Sequence, residues 1–298
     1  VSAPSLFDRK LLFARRARAA RQGALSDFLL ERAAGEIVER LDAVQRSFSR
    51  SLVLGAYHGL LTSMLAKAGQ GNWIASMEAS GRLLANCSGP KVQGDEEFLP
   101  FRNEAFDLIV SALSLHLVND LPGALIQICR ALKPDGLFLG ALLGGRTLVE
   151  LREAFMQAEM ELEGGVSPRV APMADLRDFG GLLQRAGFAL PVADSDVVNV
   201  TYASPFALMS DLRGMGAANA LSERRKRPLR RETLRRAVEI YGEIFSNEAG
   251  RINATFEIVY LAGWAPHESQ QKPLKPGSAA ARLADVLGVE EHRLKKGN

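Results

Sequence analysis

A chain of 298 residues, 47% hydrophobic and 24% charged, is long enough to bury a core, and no apolar run nears the roughly 20 residues of a membrane-spanning helix. The net charge of +3 is too small to argue for nucleic acid, and two distant cysteines with four scattered histidines give no metal-ligand spacing, so neither partner is expected. With no secretory signal in view, the composition reads as soluble and intracellular.

Residues 1 to 22 form a basic, partly amphipathic arm in which Arg15, Arg16, Arg18 and Arg21 cluster. Its Arg- and Ala-rich composition also resembles a mitochondrial presequence. This cluster and the run from Arg224 to Arg231 read as solvated helix faces, and no aromatic residue interleaves them as single-strand binding would require. Helical spacing of Phe28, Leu29, Ile37, Val38 and Leu41 predicts a helix from Ser26 to Val44. Ser51 to Leu54 is the first strand, followed by Gly55-Ala56-Tyr57-His58-Gly59 and a helix from Leu60 to Ala68. Further strands are expected at Trp73 to Met77, Lys91 to Gln93, Phe106 to Ser111 and Leu137 to Leu142. A helix from Leu121 to Leu132 ends at Lys133-Pro134-Asp135-Gly136, where proline and glycine force a turn.

Helices are predicted at Thr147 to Glu161, Ala174 to Ala186, Pro205 to Leu212 and Leu229 to Phe245, with strands at Val192 to Tyr202 and Thr255 to Trp264. The expectation is one α/β domain over residues 1–270: a seven-stranded, mostly parallel sheet with helices on both faces. It includes an N-terminal helical arm (1–45) and a helical insertion (203–250) before the last strand. Residues 271–298 are expected to be a flexible tail.

Strand, glycine turn and helix make a cofactor cradle, because glycine admits close backbone approach and the new helix offers unpaired N–H groups. Gly55 and Gly59, Asp95 before Leu99-Pro100-Phe101, Phe106-Asp107-Leu108-Ile109-Val110 and Leu132-Lys133-Pro134-Asp135-Gly136 stand in order and at the right spacing. Together they resemble the Rossmann-like class I S-adenosylmethionine-dependent methyltransferases. Ser114-Leu115-His116, Val118-Asn119-Asp120-Leu121-Pro122 and Gly144-Gly145-Arg146-Thr147 narrow the resemblance. So do Asp211-Leu212-Arg213-Gly214-Met215-Gly216 and Gly263-Trp264. These are similar to the mitochondrial complex I assembly factor 5 group and its bacterial relatives, neighbours of the malonyl-carrier-protein methyltransferases of biotin synthesis.

The resemblance implies S-adenosylmethionine as cofactor, held by Gly55, Ala56, Gly59, Ser76, Met77, Asp95, Glu96 and Ser111, with Asp95 near the adenine amine. It implies a protein substrate or client, with a complex I subunit as the candidate, and arginine modification of a subunit, with methylation, hydroxylation and no catalysis all left open. A bacterial cytoplasm is expected, with the mitochondrial matrix as alternative. His116, after the fourth strand, is the candidate catalytic base near neutral pH, against a space-filling loop histidine.

Departures from the pattern are equally legible. Val53 stands where the first motif carries an acid, Tyr57 where it carries its middle glycine, and Ser76 where the second strand carries the ribose-binding acid, with Glu78 two residues on. A non-catalytic binding or assembly protein with a degenerate cofactor site is therefore the rival reading. Within the turn, His58 reads as an exposed loop residue; elsewhere Asp107 reads as structural, and Arg146 with Glu150 either as substrate-positioning groups or as a helix-start ion pair.

Overall fold

The computed structural model describes residues 5–22 and 26–271. Its strands are β1 (Arg50–Leu54), β2 (Trp73–Glu78), β3 (Lys91–Gln93), β4 (Phe106–Ala112), β5 (Leu132–Leu143), β6 (Ala189–Tyr202) and β7 (Ile252–Trp264). They form one seven-stranded sheet in the order β3-β2-β1-β4-β5-β7-β6. The five strands from β3 to β5 are parallel, and β7 is antiparallel to both β5 and β6.

Side chains alternate across the sheet as the pleat demands. Val53, Leu108, Val110 and Leu139 join one core layer, while Leu52, Leu54, Ile109 and Phe138 join the other. Helices α2 (Phe28–Asp42), α6 (Val149–Glu163) and α9 (Arg231–Phe245) cover the first layer; α5 (Leu121–Ala131) and α7 (Leu176–Arg185) cover the second. The helical spacing of α2 is carried into burial, for Leu30, Ala33, Ala34, Ile37 and Leu41 all face the core.

Among the boundaries that move, two have a plain local reason. The turn at Lys133–Gly136 lies inside β5, because pairing begins at Leu132 with Phe106, breaks at a register shift, and resumes at Leu137 with Leu108. The looped-out segment holds Asp135 at φ 62, and its neighbour Gly136 lies 2.9 Å from the Lys133 carbonyl oxygen at the Cβ position. Antiparallel pairing with β7 extends β6 to Ala189, three residues before the expected start.

Helices α8 (Pro205–Gly214) and α9 stand between β6 and β7. At the other end of the chain, α1 (Arg9–Gln22) turns one stripe inward: Leu12, Arg16 and Ala19 are at most 3% exposed. The chain divides into residues Val1–Pro266 and His267–Asn298. In the described part of the second unit, residues 267–271, His267 Nδ1 faces Ser269 Oγ at 2.7 Å. Residues 272–298 of the expected tail lie outside the described residues. Among the described residues, no helix is long and apolar enough to cross a membrane.

Candidate functional site

The turn after β1 lies at the carboxyl end of the parallel strands, where doubly wound sheets place their ligands. Gly55 has φ 62, and a Cβ there would fall 2.1 Å from Ser114 Oγ. Only glycine satisfies both demands. Tyr57 is also left-handed, at φ 48, so the backbone keeps a glycine-like conformation where the sequence has lost the glycine. Three hydrogen bonds hold it there or beside it: Tyr57 N–H donates to Glu78 Oε2 at 3.1 Å, Tyr57 O–H donates to the Leu113 carbonyl at 2.8 Å, and Ala56 N–H donates to the Met77 carbonyl at 3.0 Å.

Glu78, not Ser76, is the acid at the end of β2. It is 0% exposed, and its other oxygen accepts from Ser80 N–H at 3.0 Å. Ser76 sits mid-strand, its hydroxyl 2.8 Å from that of Thr62, and the Met77 side chain belongs to the core layer behind the turn. Ser111, near the end of β4, is buried with no hydrogen-bond partner for its hydroxyl among the described residues.

Three acids follow β3. Asp95 and Glu96 both accept from the Arg9 guanidinium, and Glu96 also accepts from the Ser114 hydroxyl. Arg9 additionally donates to the Leu117 carbonyl at 3.0 Å, while Glu97 N–H donates to Asp95 at 3.0 Å and the Glu97 carboxylate accepts from Asn119 N–H. Arg16, one α-helical stripe along, lies 4.5 Å over the Tyr57 ring, and its Nη1 stops 3.6 Å from Glu96 Oε1.

The electrostatics follow from this pairing. Burial alone would raise the Glu96 carboxyl, but Arg16, Arg9 and Ser114 hold it below the ordinary carboxylate value. Burial wins at Glu78 and pushes it up, with Arg16 opposing. Burial likewise works against the charge of Arg16, yet Tyr57, Glu78 and Glu96 keep it firmly protonated.

His116 lies beyond Arg16 on the short 3₁₀ turn Leu115–Leu117. Burial, reinforced by the Arg16 charge, drops its imidazole to about 3, and its Nδ1 has no hydrogen-bond partner among the described residues. It is therefore neutral at physiological pH and a far weaker base than the near-neutral one expected from sequence. His58 is also not the exposed residue expected: its side chain is 17% exposed, with Nε2 3.1 Å from Asp27 Oδ2.

Two cavities adjoin at His116, Leu117 and Leu143. A small one of about 60 Å³ reaches Arg16, Tyr57, His58 and Asp27. A larger one of about 310 Å³ is lined mainly by apolar residues such as Leu148, Phe155, Met209 and Phe256. Gly55, Glu78, Asp95 and Glu96 border neither cavity.

Of the predicted site residues, the fold brings Gly55, Ala56, Asp95 and Glu96 together, with Gly59 closing the turn 2.9 Å, at its Cβ position, from Cys87 Cα. Arg9, Arg16 and Ser114 were given no place in the site by the sequence, whereas Glu78 was noted there as the acid two residues past Ser76. The stripe Arg9, Leu12, Arg16, Ala19, at helical spacing, is the signal that could have found the two arginines. Among the described residues Arg146 and Glu150 form no ion pair with each other: Glu150 accepts from Thr255 N–H at 3.1 Å and Arg146 N–H donates to Glu257 at 2.9 Å. Asp107 is structural, accepting from Ser49 N–H at 3.1 Å and Arg50 N–H at 2.8 Å. Part of the basic run is paired: Arg224 meets Asp8 and Arg225 meets Glu163. Among the described residues, no three His, Cys, Asp or Glu side chains are grouped to hold a metal ion.

Residues 52–140 match a family model described as a methyltransferase domain. The arginine-hydroxylase NDUFAF5 of Homo sapiens is 42% identical over 289 residues, which covers 95% of this chain and 83% of that protein. The Danio rerio protein of the same name is 42% identical over 88% of this chain and 83% of its own length. The chain belongs to the NDUFAF5 family. Within the wider methyltransferase fold, the malonyl-[acyl-carrier protein] O-methyltransferase of Halorhodospira halophila is 32% identical over 87% of this chain and 88% of its own. At the level of fold alone, the YcgJ protein of Bacillus subtilis superposes with TM-score 0.55 at 15% identity, covering 79% of this chain and 99% of its own.

This NDUFAF5-family cradle does not fit S-adenosylmethionine as it stands. Both Glu78 oxygens already accept backbone N–H groups, Asp95 and Glu96 are neutralised by Arg9, and the Tyr57 face is covered by Arg16. Neither of the two cavities is lined by any of these acids. A nucleoside seated against these acids would have to displace the partly buried Arg9 and the buried Arg16 guanidinium groups.

Proposed function

We propose that this protein acts on an arginine side chain of a protein client, with a complex I subunit as the candidate. The observation that carries the reading is 42% identity over nearly the whole chain to relatives named arginine-hydroxylase. It covers 95% of the chain, far more than the matched methyltransferase segment of residues 52–140. The neutral His116 and the apolar cavity beside it suit a site that positions a side chain and excludes water, rather than one built on a charged acid–base pair.

A second reading has its own support. The engaged acids of the cradle favour an assembly protein that binds its client without transforming it. One experiment separates the two. Complex I subunits are isolated from cells with and without this gene, and their arginine-containing peptides are compared by mass spectrometry. An arginine carrying one extra oxygen atom, present only with the gene, is the expected result. An added CH₂ unit would replace hydroxylation with methylation. Identical peptides from cells that nevertheless fail to assemble the complex would overturn the enzyme in favour of the binding protein.

A further inference from the structure

Arg16 is an unusual thing to bury. Its side chain is 1% exposed, and among the described residues neither Nη1 nor Nη2 has a hydrogen-bond partner. A guanidinium carries five donors, and a buried charge with unmet donors costs several kcal/mol in the general case. The surroundings are nevertheless those a guanidinium prefers. An aromatic face lies 4.5 Å below it at Tyr57, and two buried carboxylates, Glu78 and Glu96, act on it electrostatically. Glu96 Oε1, at 3.6 Å, is just outside hydrogen-bond range. The environment is right and the fit is incomplete, as if the box were occupied by an arginine entering from the wrong side.

A path from another side exists. The small cavity reaches Arg16 and Tyr57 and adjoins the larger one at His116, so a side chain could approach the Tyr57 face past His116. The identity of Tyr57 gains a reason in the same way. A left-handed conformation that glycine would adopt without strain holds instead a residue with a π face, and a hydroxyl bond to Leu113 fixes the ring.

We infer that Tyr57, Glu78 and Glu96 form a guanidinium-recognition box, filled from within by Arg16, that accepts an arginine side chain of the protein client in its place. This rests on the reading that arginine is the residue acted on, and it names the groups that recognise it. Arg16 is then an internal stand-in for the client. A box that is competent only while Arg16 is withdrawn binds an arginine with an apparent affinity reduced by that fraction.

The test is a titration of the purified full-length protein with Nα-acetyl-arginine methylamide. Calorimetry and thermal unfolding are run on the wild type and on Arg16→Ala. The vacated box is expected to bind the probe at least about tenfold more tightly than the wild type does. The probe should raise the melting temperature of the variant and leave that of the wild type unchanged. The neutral citrulline analogue should do neither, and adding Tyr57→Leu should abolish binding. Should Arg16→Ala not fold, Arg16→Met keeps the apolar stem and is read by the same criteria. The inference is overturned if the folded variant ignores the arginine probe, if it takes the citrulline and lysine analogues equally well, or if it takes S-adenosylhomocysteine in preference. Binding reads no modification, so the two proposals fail separately. A box that binds arginine in a protein that modifies none overturns only the enzymatic reading, and arginine modification by a protein whose vacated box binds nothing overturns only the box.

Discussion

His116 shows how far one side chain can be moved from its ordinary chemistry. Its imidazole, normally near 6.5, is held to about 3 by burial and by the adjacent Arg16 charge. The unfolded chain therefore takes up a proton that the folded one refuses. The stability owed to neutral His116 is fully present above about pH 6.5 and is lost as pH falls from there toward about 3. The loss approaches about 1.4 kcal/mol per pH unit, the value for a single group. Urea unfolding at a series of pH values should show that slope in the wild type and a flatter one in His116→Asn. Equal slopes would mean that His116 is not the group that resists protonation.

The helix α1 is the element on which the site turns, and it was the element least legible in the sequence. Its arginines looked like a solvated face because charge in a run is normally solvated. Two of them are instead drawn inward by acids that lie more than seventy residues away in the chain, which no local pattern can reveal. The strands, by contrast, were legible from alternation and glycine punctuation, since those signals are local. The Ser76 position was misleading for a related reason. Strand β2 runs one residue past its expected end, and that residue is Glu78.

Docking of α1 has a tight point that can be tested without touching any arginine. Gly216 has φ 70, and a Cβ there would fall 3.0 Å from Arg16 Cα. Gly216→Ala therefore combines backbone strain of about 1 kcal/mol with a push on the helix backbone itself. Hydrogen exchange should quicken across residues 9–22 in this variant and stay unchanged in the β4 and β5 strands. Uniform acceleration through the sheet would show that α1 is no separate layer of stability.

Across the whole molecule, the sheet order and the glycine turn are those of a methyltransferase fold, while the groups on the turn are committed elsewhere. Fold and affinity part company here because affinity depends on free hydrogen-bonding groups, and a fold can be kept while those groups are reassigned. Charge-assisted bonds from ribose hydroxyls to an acid contribute a few kcal/mol when the acid is free. In this molecule a nucleoside must instead break the Arg9 pairs to Asp95 and Glu96 and lift Arg16 from Tyr57, leaving both guanidinium groups to find new partners. Breaking the Arg9–Glu96 pair, whose carboxylate is buried, costs about 3–5 kcal/mol, which exceeds what the ribose returns. Titration of the wild type with S-adenosylhomocysteine is therefore expected to give no saturable heat at micromolar concentrations. Saturable binding, with faster exchange across α1, would show that the arm opens on its own and that the cradle still serves a nucleoside.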